Sequence, residues 1–461
     1  MLALAVVVAA GAPNAWALLV PARRLTRGSN RILSEASFEQ LKLVAADAAE
    51  KDFFGGTVAI DGNTVVVGAY YKDDETGAVY VLRASDGEEL AKLTASDAAA
   101  IDRFGKSVAI DGGTIVVGAP SAGTGGAVYI FRASDGATYA QVAKLTAADA
   151  AASDLFGNSV AIDGATILVG AYGDDDGASG SGSAYVFRTS DGGATYDQVA
   201  KLTASDGAEW DYFGKSVAID GDTVVVAAYG DDDAGDRSGS VYVFRTTDGG
   251  ATYGQVAKLT ASDAAAGDFF GASVAVAGDT VLVGASGDDD GGDASGSVYI
   301  FRTSDGATYA QVAKLTAADA AANDRFGGSV AIDGGTIVIG SSYDDDGGTS
   351  TGSAYVFRTS DGGATYGQVA KLTASDAASF DYFGCSVAIA GATIVVGAYQ
   401  DDDGGDASGS AYLFSEAGSE GLVAGSDSDP TPQPTTAALG SDAATRTGPL
   451  LALLVAAGLA L

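Results

Sequence analysis

Asp211-Tyr212-Phe213-Gly214-Lys215-Ser216-Val217-Ala218-Ile219-Asp220-Gly221 is the stretch from which the rest of the chain can be read. An Asp-x-Phe-Gly phrase runs into an alternating apolar stretch and ends in an Asp-Gly turn. The phrase occurs seven times, with its glycine at Gly55, Gly105, Gly157, Gly214, Gly271, Gly327 and Gly384, at spacings of 50, 52, 57, 57, 56 and 57 residues. Periods of this size mark propeller-type arrays. Each copy carries four strand-like runs, in the third copy at residues 159–162, 166–171, 182–188 and 196–203. Alternation of period two, β-branched residues and Asp-Gly or Gly-Gly turns favour antiparallel hairpins over helices.

The seventh copy stops after its third run, at Ala411-Tyr412-Leu413-Phe414, while a spare run at residues 37–45 (Phe38-Glu39-Gln40-Leu41-Lys42-Leu43-Val44 at its heart) precedes the first full copy. One vacancy and one spare strand imply a ring closed by the chain's own leading strand, which also hides two adhesive edges. The expected fold is all-β: a seven-bladed β-propeller of four-stranded antiparallel blades over residues 37–415.

Flanking segments read differently. Residues 1–17 hold an apolar run and Ala15-Trp16-Ala17, the pattern of a cleaved signal peptide, although Lys and Arg are missing ahead of the run. Residues 18–36 form a basic linker with Arg23, Arg24, Arg27 and Arg31, a composition that a bipartite organelle-targeting leader shares. Residues 416–448 are rich in Gly, Ser, Asp, Thr and Pro and read as a disordered stalk. Residues 449–461 are apolar yet shorter than the ~20 residues a membrane-spanning helix needs. They read as a hydrophobic anchor signal, the only membrane contact expected. The sequence thus predicts a secreted, cell-surface protein.

Composition narrows the partners. Sixty acids against 25 bases give a net charge of −35, which excludes nucleic acid as a partner because its phosphates need Lys and Arg. Cations suit this balance better. Histidine is absent, removing the commonest general base and zinc ligand. Cys385 is the single cysteine, so no intrachain disulfide forms.

Phe104-Gly105 paired with Gly118-Ala119-Pro120 gives the motif its sharpest form, with Gly68-Ala69-Tyr70, Gly170-Ala171-Tyr172, Gly284-Ala285-Ser286 and Gly397-Ala398-Tyr399 as variants. On these residues the chain resembles the FG-GAP repeat β-propellers. It is similar to the N-terminal propeller of integrin α subunits and, more closely, to secreted microbial FG-GAP proteins. The resemblance implies an extracellular recognition or adhesion module, with calcium in the better-known members. Their calcium loops join the first and second strands. That connection is here only Asp61-Gly62-Asn63 or Asp163-Gly164-Ala165, too short to wrap a cation that wants six or more oxygens.

The acids lie elsewhere. The loops between second and third strands read Asp73-Asp74-Glu75, Asp174-Asp175-Asp176, Asp231-Asp232-Asp233, Asp288-Asp289-Asp290, Asp344-Asp345-Asp346 and Asp401-Asp402-Asp403, and the second copy has lost them. In extended backbone the first and third acids converge while the middle one points away. The candidate Ca2+ ligands are therefore Asp174 and Asp176, Asp231 and Asp233, Asp288 and Asp290, Asp344 and Asp346, and Asp401 and Asp403. The competing reading makes them solvated turn residues. A second family, pairs such as Asp149/Asp154 and Asp206/Asp211, precedes each Phe-Gly, with the first Asp expected to cap a short turn. Both families emerge on one face and hold more than half of the 60 acids, making that face the expected site for a protein or glycan ligand.

The opposite face carries Thr189-Ser190-Asp191-Gly192-Gly193-Ala194-Thr195-Tyr196 and its relatives, a turn device also found in sialidases. Arg83, Arg132, Arg188, Arg245, Arg302 and Arg358 repeat at strand ends as structural residues do, rather than forming a catalytic triad. The recurring lysines (Lys42, Lys92, Lys144, Lys201, Lys258, Lys314, Lys371) are expected to deter pairing of the outermost strand. The reading is a non-enzymatic recognition or adhesion module. The alternatives are a structural wall protein or a glycan-processing enzyme on a propeller scaffold.

Overall fold

A computed structural model describes residues 38–133 and 138–416. The leader, the basic linker, the stalk beyond Glu416 and the anchor signal lie outside the described residues. Among the described residues no helix is long and apolar enough to cross a membrane.

The chain forms seven antiparallel sheets of four strands. In blade three these are Ser159–Asp163, Thr166–Ala171, Ser183–Arg188 and Asp197–Leu202, joined in sequence order. First strands of successive blades touch one another all the way round, blade seven against blade one included, so they encircle the axis of a closed ring. Blade seven takes three strands from the end of the chain, and its fourth is Phe38–Leu43. That strand pairs antiparallel with Ser410–Glu416, Phe38 opposite Glu416 and Leu43 opposite Ala411. The closure expected from the spare run is present.

Seven buried clusters fill the ring, each spanning two neighbouring blades. Between blades three and four, Leu168, Val186 and Leu202 meet Phe213, Val224, Val226 and Tyr242. Every Phe of the Phe-Gly phrase is fully buried in such a cluster, as its apolar neighbours on both sides require.

The glycines of the motif have a geometric reason. Gly214 sits at φ 92° with the carbonyl of Ser183 in the preceding blade where a Cβ would stand. Gly170, from the Gly-Ala of blade three, presses in turn on the carbonyl of Gly214. The same contact joins Gly118 to Gly157, Gly284 to Gly327, Gly340 to Gly384, and Gly397 to Gly55 across the closing seam. At these seams one blade is seated on the next through bare backbone, where close approach selects glycine and, in the Phe-Gly phrase, positive φ does so as well.

The closing strand yields a direct test. Deleting residues 1–45 exposes the third strand of blade seven as an open, apolar edge. The shortened chain is expected to unfold at a lower temperature and to associate as concentration rises in sedimentation velocity. A monomer with an unchanged midpoint would show that the ring does not depend on its leading strand.

Candidate functional site

The loop leading into each blade begins as two tight turns. In blade four the second Asp of the pair, Asp211, is buried and its Oδ2 accepts the N–H of Ala208 at 2.7 Å. Asp52, Asp102, Asp154, Asp268, Asp324 and Asp381 make the equivalent bond to the residue three before. The capping role expected of the first Asp therefore falls to the second. These turns never become a helix, so the first Asp has no row of free amides to cap and its carboxylate is used elsewhere. Burial, with help from the Asp344 carboxylate, raises Asp324 to about 6. Burial together with Asp401 and Asp402 does the same for Asp381, also to about 6.

The first Asp joins the acidic loop around a lysine. In blade four, Lys258 Nζ on the outermost strand lies 2.8 Å from Asp206 Oδ2, 2.9 Å from Asp231 Oδ2 and 2.5 Å from Asp233 Oδ2. The cluster recurs with Lys201 among Asp149, Asp174 and Asp176, Lys314 among Asp263, Asp288 and Asp290, and Lys371 among Asp319, Asp344 and Asp346. In blade seven the cation is Lys42 of the closing strand, held by Asp376, Asp401 and Asp403. In blades three to seven the first and third acids converge through a tight turn, the Asp233 N–H donating to Asp231 Oδ1 at 3.1 Å in blade four, and the cation between them is an ammonium. The lysines expected to guard an edge also offset part of the charge of this face, one ammonium to three carboxylates. Burial by itself would lower Lys258, but its hydrogen bonds to Asp206, Asp233 and Asp231 outweigh this and raise it well above 10.5. Burial by itself would raise Asp206, but the hydrogen bonds from Lys258 and Tyr242 outweigh this and hold it below 3.8.

The middle acid is neither a ligand nor idle. Asp232 Oδ1 accepts the Arg237 N–H at 2.7 Å, Asp289 that of Ala294 and Asp402 that of Ala407, which folds each loop back on itself. Blades one and two depart from the pattern. Lys72 stands where the other blades place the first acid, and its buried ammonium contacts Asp52 Oδ2 at 2.7 Å. Ala122 occupies that place in blade two, leaving Lys144 paired with Asp97 alone among the described residues.

Sequence reasoning overlooked the tyrosine of each third strand. Tyr242 is fully buried, edge-on to Phe213, and its hydroxyl lies 2.8 Å from Asp206 Oδ1 and 2.9 Å from Asp231 Oδ2. Tyr185, Tyr299, Tyr355 and Tyr412 bridge their own pairs of acids in the same way. The available signal was its recurrence in all seven copies at a core position where phenylalanine would pack as well.

A cluster of three carboxylates can also hold a metal. Oxygens of Asp149, Asp174 and Asp176 lie within 4.8 Å of one another, as do those of Asp376, Asp401 and Asp403. The oxygen donor set suits calcium, but a metal would need the place of the ammonium and would find three carboxylates where calcium prefers six or more oxygens.

The other face is built for rigidity. Asp191 Oδ1 accepts the N–H groups of Ala194 and Thr195, and Asp191 Oδ2 accepts the Thr195 hydroxyl at 2.7 Å. Arg302 Nη1 donates to the carbonyl of Gly362 in the next blade at 2.5 Å, and Arg132 reaches Gly192 likewise. The short first turns are linked too. Asp163 Oδ2 accepts the Gly221 N–H at 2.5 Å, so this acid ties blade three to blade four.

Seven segments of the chain, residues 38–82, 88–131, 133–187, 196–244, 253–301, 309–357 and 366–414, match the family model of the FG-GAP repeat. No curated protein matches the chain.

The two classes of Asp give stability a defined pH profile. Asp324 and Asp381 bind protons at about 6 in the ring against an ordinary 3.8, so protonation on acidification from neutral pH favours the folded state. Asp149, Asp206, Asp263, Asp319 and Asp376 titrate below 3.8, so their contribution is present above that value and is lost as pH falls through their folded values. The thermal midpoint is expected to rise between pH ~7.5 and ~5 and to fall below pH ~4. A midpoint that declines steadily from neutral pH would contradict this division of roles.

Proposed function

The chain belongs to the FG-GAP repeat family, and on that premise we propose that it is a non-enzymatic extracellular recognition or adhesion module displayed at the cell surface. The observation that carries the proposal is the placement of difference within a nearly uniform ring. Among the loops leading into the blades, the residue before the second Asp is Lys51, Ile101, Ser153, Trp210, Gly267, Asn323 or Phe380. The residue after it is Phe53, Arg103, Leu155, Tyr212, Phe269, Arg325 or Tyr382. These positions lie on the acidic face, and Ile101, Trp210 and Phe380 expose more than half of their surface. A core-building role would place such side chains inside, and a catalytic one would draw unlike groups to a single centre. Large residues left in water on one face suit contact with a protein or glycan.

Secretion rests on the signal-like residues 1–17, and surface attachment on the apolar residues 449–461. FG-GAP repeats occur in extracellular proteins, which agrees with both.

The face assignment is tested by binding to a panel of immobilised polysaccharides and proteins. Asp293→Asn with Asp406→Asn changes exposed acids of the loop face, and Asp197→Asn with Asp222→Asn changes exposed acids of the opposite side. The first pair is expected to alter retention of the bound partner about threefold or more, and the second to leave it unchanged. Binding that follows the second pair would place recognition on the wrong face.

Calcium is a second reading, favoured by the mutual approach of Asp149, Asp174 and Asp176 and of Asp376, Asp401 and Asp403. It predicts competition with lysine. Lys201→Met removes the resident cation, so calcium in millimolar excess should raise the midpoint of this variant more than that of the parent, because a ligand of the native state stabilises it. Equal, chelator-insensitive midpoints in both proteins would remove calcium from the account.

A further inference from the structure

Blade four differs from its six sisters in a concentrated way. A cavity of 410 Å³ opens between its leading loop and its second-to-third-strand loop, lined by Glu209, Trp210, Tyr212, Asp232, Asp236 and Arg237, with the Gly230 backbone at its floor. That volume lies within the range of small-ligand sites. Blade five has the same niche, at 400 Å³, but with Ala266, Gly267 and Ala294 in place of Glu209, Trp210 and Arg237. The residues that set blade four apart are therefore gathered on one hollow.

Their backbone is shared, whereas the full set of side chains is not: blade seven repeats the aromatic pair, with Phe380 beside Tyr382 and Tyr382 stacked on Tyr399, but has Ser379 and Ala407 where blade four has Glu209 and Arg237. Trp210, Tyr212 and Arg237 have φ of 69°, 57° and 53°, the left-handed region, and the matching residues of the other blades adopt it too, apart from the altered second-to-third-strand loop of blade two. This conformation is unfavourable for a side-chain-bearing residue, whereas Gly267 or Gly180 meets it freely. Blade four instead carries its largest side chains there. The Trp210 indole rests on the Gly180 backbone and against Tyr212 (ring centroids 6.1 Å), and Tyr212 stacks on Tyr229 at 5.5 Å and 19°. Trp210 is nonetheless 54% exposed, so a supported aromatic surface faces water.

The polar groups around it are uncommitted. Asp232 uses one oxygen on the Arg237 N–H and keeps the other. Among the described residues Glu209, Asp236 and Arg237 have no side-chain hydrogen bond or ion pair, in a face where the recurring outer-strand lysines are all held by carboxylates. An aromatic plane flanked by several acceptors and one forked donor matches a pyranose ring, whose C–H face stacks while its hydroxyls both donate and accept. The surrounding negative charge repels uronic, sulfated or sialylated sugars. Arg237 stands against a basic peptide, which would want the carboxylates without a guanidinium beside them.

We propose that the blade-four niche binds a neutral oligosaccharide, with Trp210 as the stacking platform, Glu209, Asp232 and Asp236 accepting from hydroxyls, and Arg237 donating. The proposal rests on the recognition reading and gives it a ligand class and a location.

The test uses the full chain carrying Trp16→Phe, which leaves Trp210 as its one tryptophan. The probes are cello-, malto-, laminari-, xylo-, manno- and chitohexaose, with decalysine as the comparison. At least one hexasaccharide should shift or quench Trp210 fluorescence saturably, and decalysine should not displace it at moderate salt. A repeat-swap variant, Glu209→Ala with Trp210→Gly and Arg237→Ala, reproduces residues that blade five already tolerates, so it is expected to fold. Calorimetry should find the same sugar bound at least about thirtyfold more weakly to it. The reverse swap, Ala266→Glu with Gly267→Trp and Ala294→Arg, should create a second site. No response to any hexasaccharide, or preference for decalysine, overturns the proposal. Sugar binding that maps to the loop face but ignores the swap also overturns it, while leaving the broader recognition reading intact.

Discussion

The contact on which the ring depends is one of backbone against backbone. A glycine at φ near 90° at the head of each first strand lies under the carbonyl of the preceding blade and, at six of the seven seams, receives a second glycine from that blade's second strand. No side chain fits between them, so neighbouring sheets approach more closely at the axis than their outer strands do. The phenylalanine beside each first glycine fills the widening gap outside. Both halves of the Phe-Gly and Gly-Ala motif are thus one joint seen from its two sides. Blade four shows its tolerance: Ala227 replaces the second glycine, and its methyl group stands where a Cβ on Gly271 would come within 3.0 Å. One methyl group is accepted at that seam, and two would collide.

Given that joint, the acidic face is a problem of charge rather than of folding. Turns at the ends of closely set strands want Asp and Gly, and seven such sets crowd carboxylates together. The chain answers with one lysine per outermost strand and one tyrosine per third strand. Sharing an ammonium among three carboxylates satisfies buried acids such as Asp231 that would otherwise be costly to desolvate. Blade one supplies the charge differently, with Lys72 from within the loop. Uniformity of structure therefore hides two solutions to the same electrostatic demand.

The architecture was legible because repetition turns one sequence into seven readings of the same unit. Blade number, strand order and the borrowed strand followed from counting. The convergence of first and third acids was legible too, although a turn that bonds the third N–H to the first carboxylate, not strand alternation, produces it. Their partner was not. Lys258 is separated from Asp206 by 52 residues and from Asp231 by 27, and only the return of the fourth strand brings them together. Tyr242 was hidden for a related reason: in a run of Val and Phe it reads as core, and its hydroxyl gains meaning only once two acids close over the strand end. The capping error at the paired acids arose from expecting a helix where two tight turns form. Trp210 stood out in the sequence, but the hollow it flanks required the fold of a loop from farther along the same blade.

The seam in blade seven also sets the order in which the molecule must be made. Phe38–Leu43 is the first of the described strands to be synthesised, and its partner Ser410–Glu416 is the last of them. Six blades can assemble from neighbouring segments as they appear, each bringing its own lysine to its own acids. The opening segment has to wait, with Lys42 uncompensated, until the whole circle is complete. Closing so long a loop costs entropy that only the final contacts return, and pairings this distant in sequence form slowly. The last turn of the ring is thus a single late step, and until it occurs the nearly finished molecule carries an unpaired edge at each end of the arc.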